Sequence, residues 1–187
     1  MARILTFSKF ILLFFSLFYL FACSHSHQNS IPPTGNQAAA KTRVELGLAY
    51  LAQGNLALAK ANLDKALQHT PNDYLPYLGL AYFYQHTAQN QQAEHYYQKA
   101  LQLVPDNGDV LNNYATYLCN QRQFAQAFQL FDKALTSKAY YHFADTYENI
   151  AICAYLANDQ QKFTAALAQL QKYAPEKAET LQQHIKN

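Results

Sequence analysis

The chain has 187 residues, of which 50% are apolar and only 14% are charged. It contains five glycines and six prolines, too few for a collagen-like or disordered chain, so the composition favours a single helical globular domain.

The N-terminus has the pattern of a signal peptide, predicted over residues 1–22. Arg3 and Lys9 supply a basic start, and a largely apolar run covers residues 10–22. This run is short for a membrane-spanning helix, which needs about 20 apolar residues, so the pattern favours a secretory signal cleaved before Cys23. Cleavage removes two of the 14 basic residues and leaves 12 against 12 acidic ones. A neutral mature chain has no electrostatic footprint for nucleic acid.

The string LFAC, which ends at Cys23, resembles the lipoprotein box of bacteria, although Phe21 is bulkier than the residue usually found there. In that interpretation acyl chains on Cys23 hold the protein to the membrane, and each buried methylene contributes about 0.8 kcal/mol. By resemblance to lipoprotein sorting, Ser24 in place of aspartate indicates the outer membrane, with the protein facing the periplasm. The alternative is an uncleaved N-terminal anchor with an incidental cysteine.

Residues 23–39 are predicted to form a flexible tether. Ser, His, Gln, Asn, Pro and Gly fill this stretch, and Pro32, Pro33 and Gly35 disfavour regular structure. His25 and His27 form an isolated HxH pair, which is weak evidence for metal binding, so no metal site is expected.

From residue 40 the sequence repeats at one fixed interval. Pro71 and Pro105 share this interval, and so do three sets of small residues: Gly47, Ala81, Ala115; Ala59, Ala93, Ala127; Ala66, Ala100, Ala134. A period of about 34 residues with small, aromatic and proline positions is the tetratricopeptide signature, in which each unit is a helix, a tight turn and a second helix. The small residues are expected where the two helices touch.

The pattern predicts an all-α fold, a right-handed tetratricopeptide superhelix over residues 40–187. Ala151 lies two positions further from Ala115 than one period requires, so two residues are inserted, and the segment 138–145 is the expected place. The predicted repeats cover residues 40–73, 74–107, 108–143 and 144–175, with a capping helix over 176–185.

The sequence contains no nucleophile elbow, phosphate loop, HExxH or CxxC motif, and its carboxylates are dispersed. It therefore predicts a protein that is not an enzyme and that uses no cofactor and no small-molecule substrate.

In this architecture the first helix of each repeat lines a concave groove with its second, fifth, sixth, ninth, twelfth and thirteenth positions. Most of these positions are apolar in the first two repeats, and most are polar in the last two. An apolar groove predicts an occupant, which is a partner helix, an extended segment or the chain's own tether; the alternative is packing between adjacent helices. The predicted groove residues are Val44, Leu48, Leu51, Leu75, Leu78, Tyr82, Asn112, Asn113, Thr116 and Asn149.

Asn113 and Asn149 both occupy the sixth position, where peptide-binding repeats of this class place an asparagine. An amide both donates and accepts, so it can pair with an extended backbone. The alternative is a hydrogen bond to the asparagine's own helical turn.

Cys119 and Cys153 are one period apart, on adjacent first helices. In the oxidising periplasm this spacing predicts a disulfide that pins the joint where the period slips. The alternative is a pair of buried free thiols.

Three segments resemble the type IV pilus biogenesis and stability lipoproteins: VELGLAYLAQGNLALAKANLDKAL, LNNYATYLCNQRQFAQAFQLF and YENIAICAYLANDQ. The resemblance implies a pilotin, an outer-membrane lipoprotein that helps the pilus secretin reach the membrane and assemble into its ring. Family members often carry further repeats than the four predicted here. The alternative is another periplasmic tetratricopeptide lipoprotein that serves barrel assembly or cell-wall enzymes.

Overall fold

The computed structural model describes residues 35–186, and over that range it contains nine helices and no strand. None of these nine helices is both long and apolar enough to cross a membrane. The predicted signal peptide, Cys23 and the first part of the predicted tether lie outside the described residues. The helices are α1 Gly35–Ala52, α2 Leu56–His69, α3 Tyr74–His86, α4 Asn90–Leu103, α5 Gly108–Asn120, α6 Phe124–Leu135, α7 Phe143–Leu156, α8 Gln160–Tyr173 and α9 Pro175–Lys186.

Helices α1 to α8 pair in sequence order into four hairpins, and α9 packs on the last hairpin. Each hairpin turn is short, and residues 70–73 and 104–107 connect the first three hairpins. The connection before α7 is longer, residues 136–142, which accommodates the insertion expected in this region. The predicted all-α tetratricopeptide fold is confirmed.

Polar side chains cap the helices at the points where the sequence changes from turn to helix. The side chains of Asn55, Asp73, Asn107 and Asp159 accept hydrogen bonds from backbone N–H groups in the first turns of α2, α3, α5 and α8. A cap of this kind stabilises a helix by about 1 kcal/mol, so these residues help to set the phase of the repeat.

The small residues that recur once in every repeat lie between the helices of each hairpin. The alanines of all three sets have no exposed surface. At Gly47, a Cβ atom would lie 2.8 Å from Cγ of Leu63, too close for a larger residue without displacement. The contact predicted from the period is therefore present, and its geometry requires small side chains.

Two predicted boundaries differ from the structure. Helix α1 begins at Gly35, so the prediction of a flexible tether is wrong for residues 35–39. The run of alanines from Ala38 favours helix strongly enough to extend the first repeat backwards, and Ala40 is already buried. Helix α9 extends one residue beyond each end of the predicted capping helix, a difference within the usual uncertainty of helix ends.

The long connection of residues 136–142 is anchored by Tyr140. The Tyr140 ring is buried, and its hydroxyl is hydrogen-bonded to the Thr146 hydroxyl at 2.5 Å. The ring occupies the space beside Gly108, where any Cβ atom would overlap it. Because Gly108 has no side chain, the inserted residues pack against α5 instead of extending away from it.

The hairpin turns contain a residue in the left-handed region at equivalent positions of the repeat. Gly54 has φ 75°, and Ala88, its equivalent in the next repeat, has φ 56°. An L-residue in this conformation is destabilised by about 1–2 kcal/mol. Glycine removes this strain, but it also stabilises the unfolded chain by about 0.4–1 kcal/mol because it makes that chain more flexible. We therefore expect Ala88→Gly to raise the free energy of unfolding by about 0.5–1 kcal/mol in urea denaturation.

Gly54→Ala is the matched reverse change and should lower the free energy of unfolding by a similar amount. A methyl group at residue 54 meets no atom within 4 Å, so its effect reports backbone conformation alone. If both substitutions shift the free energy of unfolding in the same direction, the conformational explanation is wrong.

Candidate functional site

An apolar pocket of about 190 Å³ opens on the face formed by the first helices of the first three repeats. Its walls come from α1, α3, α4 and α5, and no charged side chain lines it. Six of the ten predicted groove residues are brought together here: Val44, Leu48, Leu75, Leu78, Tyr82 and Asn113.

Gly79 forms part of the pocket because it allows α3 to approach α1 closely. A Cβ atom at Gly79 would lie 2.8 Å from Cδ2 of Leu63 and 3.2 Å from Cγ1 of Val44. Gly79 stands one repeat before Asn113, at the same sixth position. The assignment of the sixth position to the groove therefore included Gly79. A glycine at that position was the feature of the sequence that could have indicated a pocket.

The floor of the pocket includes Tyr97, which belongs to α4, a second helix, and is therefore not covered by the groove rule. Its ring is 1% exposed and stacks on Tyr114, with 5.3 Å between ring centroids. Its hydroxyl donates a hydrogen bond to Oε1 of Gln85 at 2.7 Å. Burial raises the pKa of Tyr97 well above its ordinary value, so the floor of the pocket stays uncharged.

Tyr82 stands at the rim of the pocket with half of its surface exposed. Leu48, Leu75 and Leu78 are partly buried beside it. An exposed aromatic side chain at the edge of an apolar concavity is typical of residues that dominate binding energy when a partner covers them.

Asn112 and Asn149, which were predicted to line the groove of the third and fourth repeats, are instead hydrogen-bonded to each other. Asn112 is only 9% exposed, and its Oδ1 accepts a hydrogen bond from Nδ2 of Asn149 at 3.2 Å. The hydroxyl of Thr116 donates to the backbone carbonyl of Asn112 at 2.9 Å. These three polar residues lie outside the apolar pocket, and the amide pair connects α5 to α7.

Asn113 is exposed, and its Nδ2 donates to the backbone carbonyl of Asp109 one turn earlier, at 2.8 Å. The amide N–H group of Asn113 therefore bonds to the asparagine's own helical turn, which was the alternative to pairing with a partner backbone. None of the side-chain hydrogen bonds found among residues 35–186 ends on its Oδ1, so that acceptor stays available at the rim of the pocket.

Leu51 was predicted to face the groove, and this prediction is wrong. It is 2% exposed and belongs to the core cluster of the first two repeats, together with Phe83. Leu51 lies on the last turn of α1, and its burial in this cluster removes it from the open face. Leu51 stands two repeat periods before Cys119. Phe83 stands two periods before Cys153 once the two inserted residues are subtracted.

Cys119 and Cys153 are joined by a disulfide between α5 and α7. Their Cα atoms are 5.7 Å apart, within the usual range for a disulfide. Both residues are buried. The bridge and the Asn112–Asn149 hydrogen bond therefore tie the first helices of the third and fourth repeats together at two heights.

The carboxylates of this face are held by basic side chains. Oδ1 of Asp109 lies 2.7 Å from Nδ1 of His142, and Lys177 of α9 reaches both Asp145, at 2.5 Å, and Glu148, at 2.8 Å. The hydrogen bonds to Asp145 and then Glu148 raise the pKa of Lys177. Because the folded pKa is the higher one, this stabilisation is complete below the ordinary lysine pKa and is lost only as the pH rises through the raised value.

Within residues 35–186, no three His, Cys, Asp or Glu side chains are grouped closely enough to hold a metal ion. The candidate binding feature of this face is the apolar pocket, flanked by the amide oxygen of Asn113.

Tetratricopeptide-repeat family models match residues 40–73, 76–107 and 96–129. An uncharacterised protein of Haemophilus influenzae is 46% identical over 162 residues, which cover 87% of this chain and 89% of that protein. The type IV pilus assembly protein PilF of Pseudomonas aeruginosa is 32% identical over 118 residues, which cover 63% of this chain and 47% of PilF. The chain therefore spans about half the length of PilF.

Solved structures show the same similarity. A structure of Pseudomonas aeruginosa PilF superimposes with a TM-score of 0.71 at 25% identity, over 81% of this chain and 71% of that chain. The structure of PilW, a widely conserved type IV pilus biogenesis factor, gives a TM-score of 0.69 at 26% identity, over 74% of this chain and 64% of that chain.

The disulfide can be tested by thiol labelling of unreduced, denatured protein followed by peptide mapping. We expect Cys119 and Cys153 to stay unlabelled, and the single change Cys119→Ala to make Cys153 reactive. The double change to alanine should lower the free energy of unfolding by about 3–4 kcal/mol, because the bridge closes a loop of about 35 residues. Labelling of both cysteines in the unreduced native sequence would contradict the bridge.

Proposed function

We propose that this chain, which belongs to the tetratricopeptide-repeat family and is homologous to the type IV pilus biogenesis proteins PilF and PilW, serves as a pilotin. In this role it is an outer-membrane lipoprotein that binds the pilus secretin and promotes its localisation and multimerisation. Proteins with this repeat bind peptides or other proteins, and the family of pilus biogenesis scaffolds to which the chain is related is typically non-enzymatic.

The observation that carries the proposal is the open apolar pocket beside Tyr82. If the apolar side chains of the first two repeats served packing alone, neighbouring helices would fill the space between them. Instead about 190 Å³ stays open. An apolar cavity of about 150 Å³ is large enough to hold benzene, so this pocket can receive one aromatic or branched aliphatic side chain of a partner.

The membrane anchor in this proposal is Cys23, and its support is the sequence pattern of the N-terminus. Cys23 follows a basic start and an apolar run, and it ends the string LFAC. Acylation there would keep the groove close to the membrane in which the secretin assembles, so the partner's search is confined to a surface.

Tyr82→Glu should weaken partner binding while the protein still folds. The side chain is half exposed, so the change places a charge at the pocket without opening a cavity in the core. We expect secretin binding to weaken at least tenfold, which corresponds to about 1.4 kcal/mol. In cells, secretin monomers should accumulate and surface pili should be lost, while the helical circular dichroism of the purified protein stays unchanged.

Tyr173→Glu is the matched control, because Tyr173 is 48% exposed against 50% for Tyr82 and lies outside the pocket on α8, a second helix. This variant should support normal secretin assembly. Asn113→Ala should have an intermediate effect, since a neutral hydrogen bond contributes only about 0.5–1.5 kcal/mol net. Full secretin assembly by a correctly folded Tyr82→Glu protein would show that the pocket is not the binding site.

Acylation of Cys23 can be tested by mass spectrometry of protein purified from the membrane fraction. We expect a diacylated or triacylated cysteine as the first residue, because the apolar run ends in a lipoprotein box. A Cys23→Ser variant should keep its signal peptide or be released from the membrane. Recovery of Met1 or Ala2 on the mature native protein would exclude the lipoprotein assignment.

A further inference from the structure

We propose that the pocket binds an extended segment of its partner that carries one uncharged apolar anchor and, about four to six positions away, a lysine or arginine. This inference rests on the proposed function, because it specifies the chemistry of the segment that a pilotin groove would receive. It follows from the charge of the surface around the pocket.

The anchor itself must be uncharged. The pocket lining consists of aliphatic groups, two tyrosines, a glycine and one asparagine, and it contains no group that could compensate a buried charge. Leaving an ionised side chain unpaired in such surroundings costs several kcal/mol at least, so a charged residue is rejected there.

The surface beside the pocket is acidic. Glu45 adjoins the wall residue Val44, and Asp109 lies one turn before the rim residue Asn113. Further along the same face, Asp145 and Glu148 share the single cation Lys177.

Lys41 is the counter-charge of Glu45, at 3.9 Å, and both side chains are about two-thirds exposed. Asp109 has His142 at 2.7 Å, so the face presents four carboxylates against two lysines and one histidine, and acidic groups remain in excess. A partner with a positive charge complements this excess, and one with a negative charge is repelled.

The acidic residues are not all explained by the helices that carry them. Asp109 and Asp145 lie in the first turns of α5 and α7, where a carboxylate stabilises the helix N-terminus by itself. Glu45 and Glu148 lie beyond the first turns of α1 and α7, so this explanation does not apply to them. Because Glu148 and Asp145 share one lysine, this pair keeps a net negative charge that can select a partner.

The polar rim favours an extended backbone. The free Oδ1 of Asn113 can accept one backbone N–H from a segment that leaves the pocket toward α7. An extended strand has unpaired N–H groups along its length, whereas a helix has them only at its first turn.

The distance between pocket and carboxylates sets the spacing of the motif. Packed helices lie about 8–10 Å apart, and an extended chain advances about 3.3 Å per residue. Asp109 is one helix beyond Tyr82 and Glu148 is two helices beyond it, counted along the row of first helices. Asp109 also lies about two helical turns, or about 10 Å, nearer the helix N-terminus than Tyr82. A basic residue about four positions from the anchor therefore meets Asp109, and one about six positions away meets Glu148.

The test is selection from a phage-displayed library of random peptides, each about a dozen residues long, on the detergent-solubilised full-length lipoprotein, with the Tyr82→Glu protein as counter-selection. We expect the enriched peptides to contain one large apolar residue and, about four to six positions away, a lysine or arginine. Binding of a synthetic peptide of that pattern should weaken about two- to fivefold when its basic residue is replaced by alanine, and should weaken with added salt.

A matched pair of double variants distinguishes the effect of carboxylates on this face from the effect of the protein's net charge. The double variant Asp109→Asn, Glu148→Gln should weaken binding of the selected peptide about two- to fivefold. Glu94→Gln with Asp132→Asn removes the same two charges from α4 and α6, which are second helices of their repeats, and should leave binding unchanged.

Enrichment of acidic or uncharged peptides, absence of enrichment that depends on Tyr82, or equal effects of the two double variants would overturn the inference. Secretin assembly is then the independent measure of the proposed function. If Tyr82→Glu blocks assembly and the peptides show no basic preference, the pilotin role stands and only the charge selection fails.

Discussion

The structure depends on the close contact between the two helices of each hairpin. That contact requires residues without bulk at fixed positions, and the alanines at those positions have no exposed surface. Because the helices approach so closely, the larger side chains are displaced to the gaps between hairpins and to the concave face. The pocket is a product of the same constraint: Gly79 allows α3 to sit against α1, and the space left in front of it is lined by the aliphatic residues of both helices.

The fold could be predicted almost completely, because the repeat period specifies element order, antiparallel pairing and the buried small positions together. Six groove residues could also be predicted, since the repeat assigns each position a face. Leu51 failed because that rule ignores the last turn of a helix, where the side chain meets the next repeat. The beginning of α1 failed for a local reason: Gly35 and the prolines before it suggested a break, whereas the alanines after it favour helix.

The remaining part of the site could not be predicted because it arises from contacts between repeats. Tyr97 comes from the second helix of its repeat, which the groove rule leaves out, yet it forms the floor of the pocket. Asn112 and Asn149 stand at groove positions in the sequence, but their side chains are hydrogen-bonded to each other between α5 and α7. The sharing of Lys177 by two carboxylates required the position of α9, which no period specifies.

The repeat phase shared by Leu51–Phe83 and Cys119–Cys153 has a mechanical consequence. The same point of the joint between neighbouring first helices is closed by dispersion forces in the first case and by a covalent bond in the second. Side chains in contact can slide and reorient, whereas a disulfide holds its two Cα atoms at one separation. The joint between α1 and α3, which carry most of the pocket lining, can therefore deform more easily than the covalently closed joint between α5 and α7.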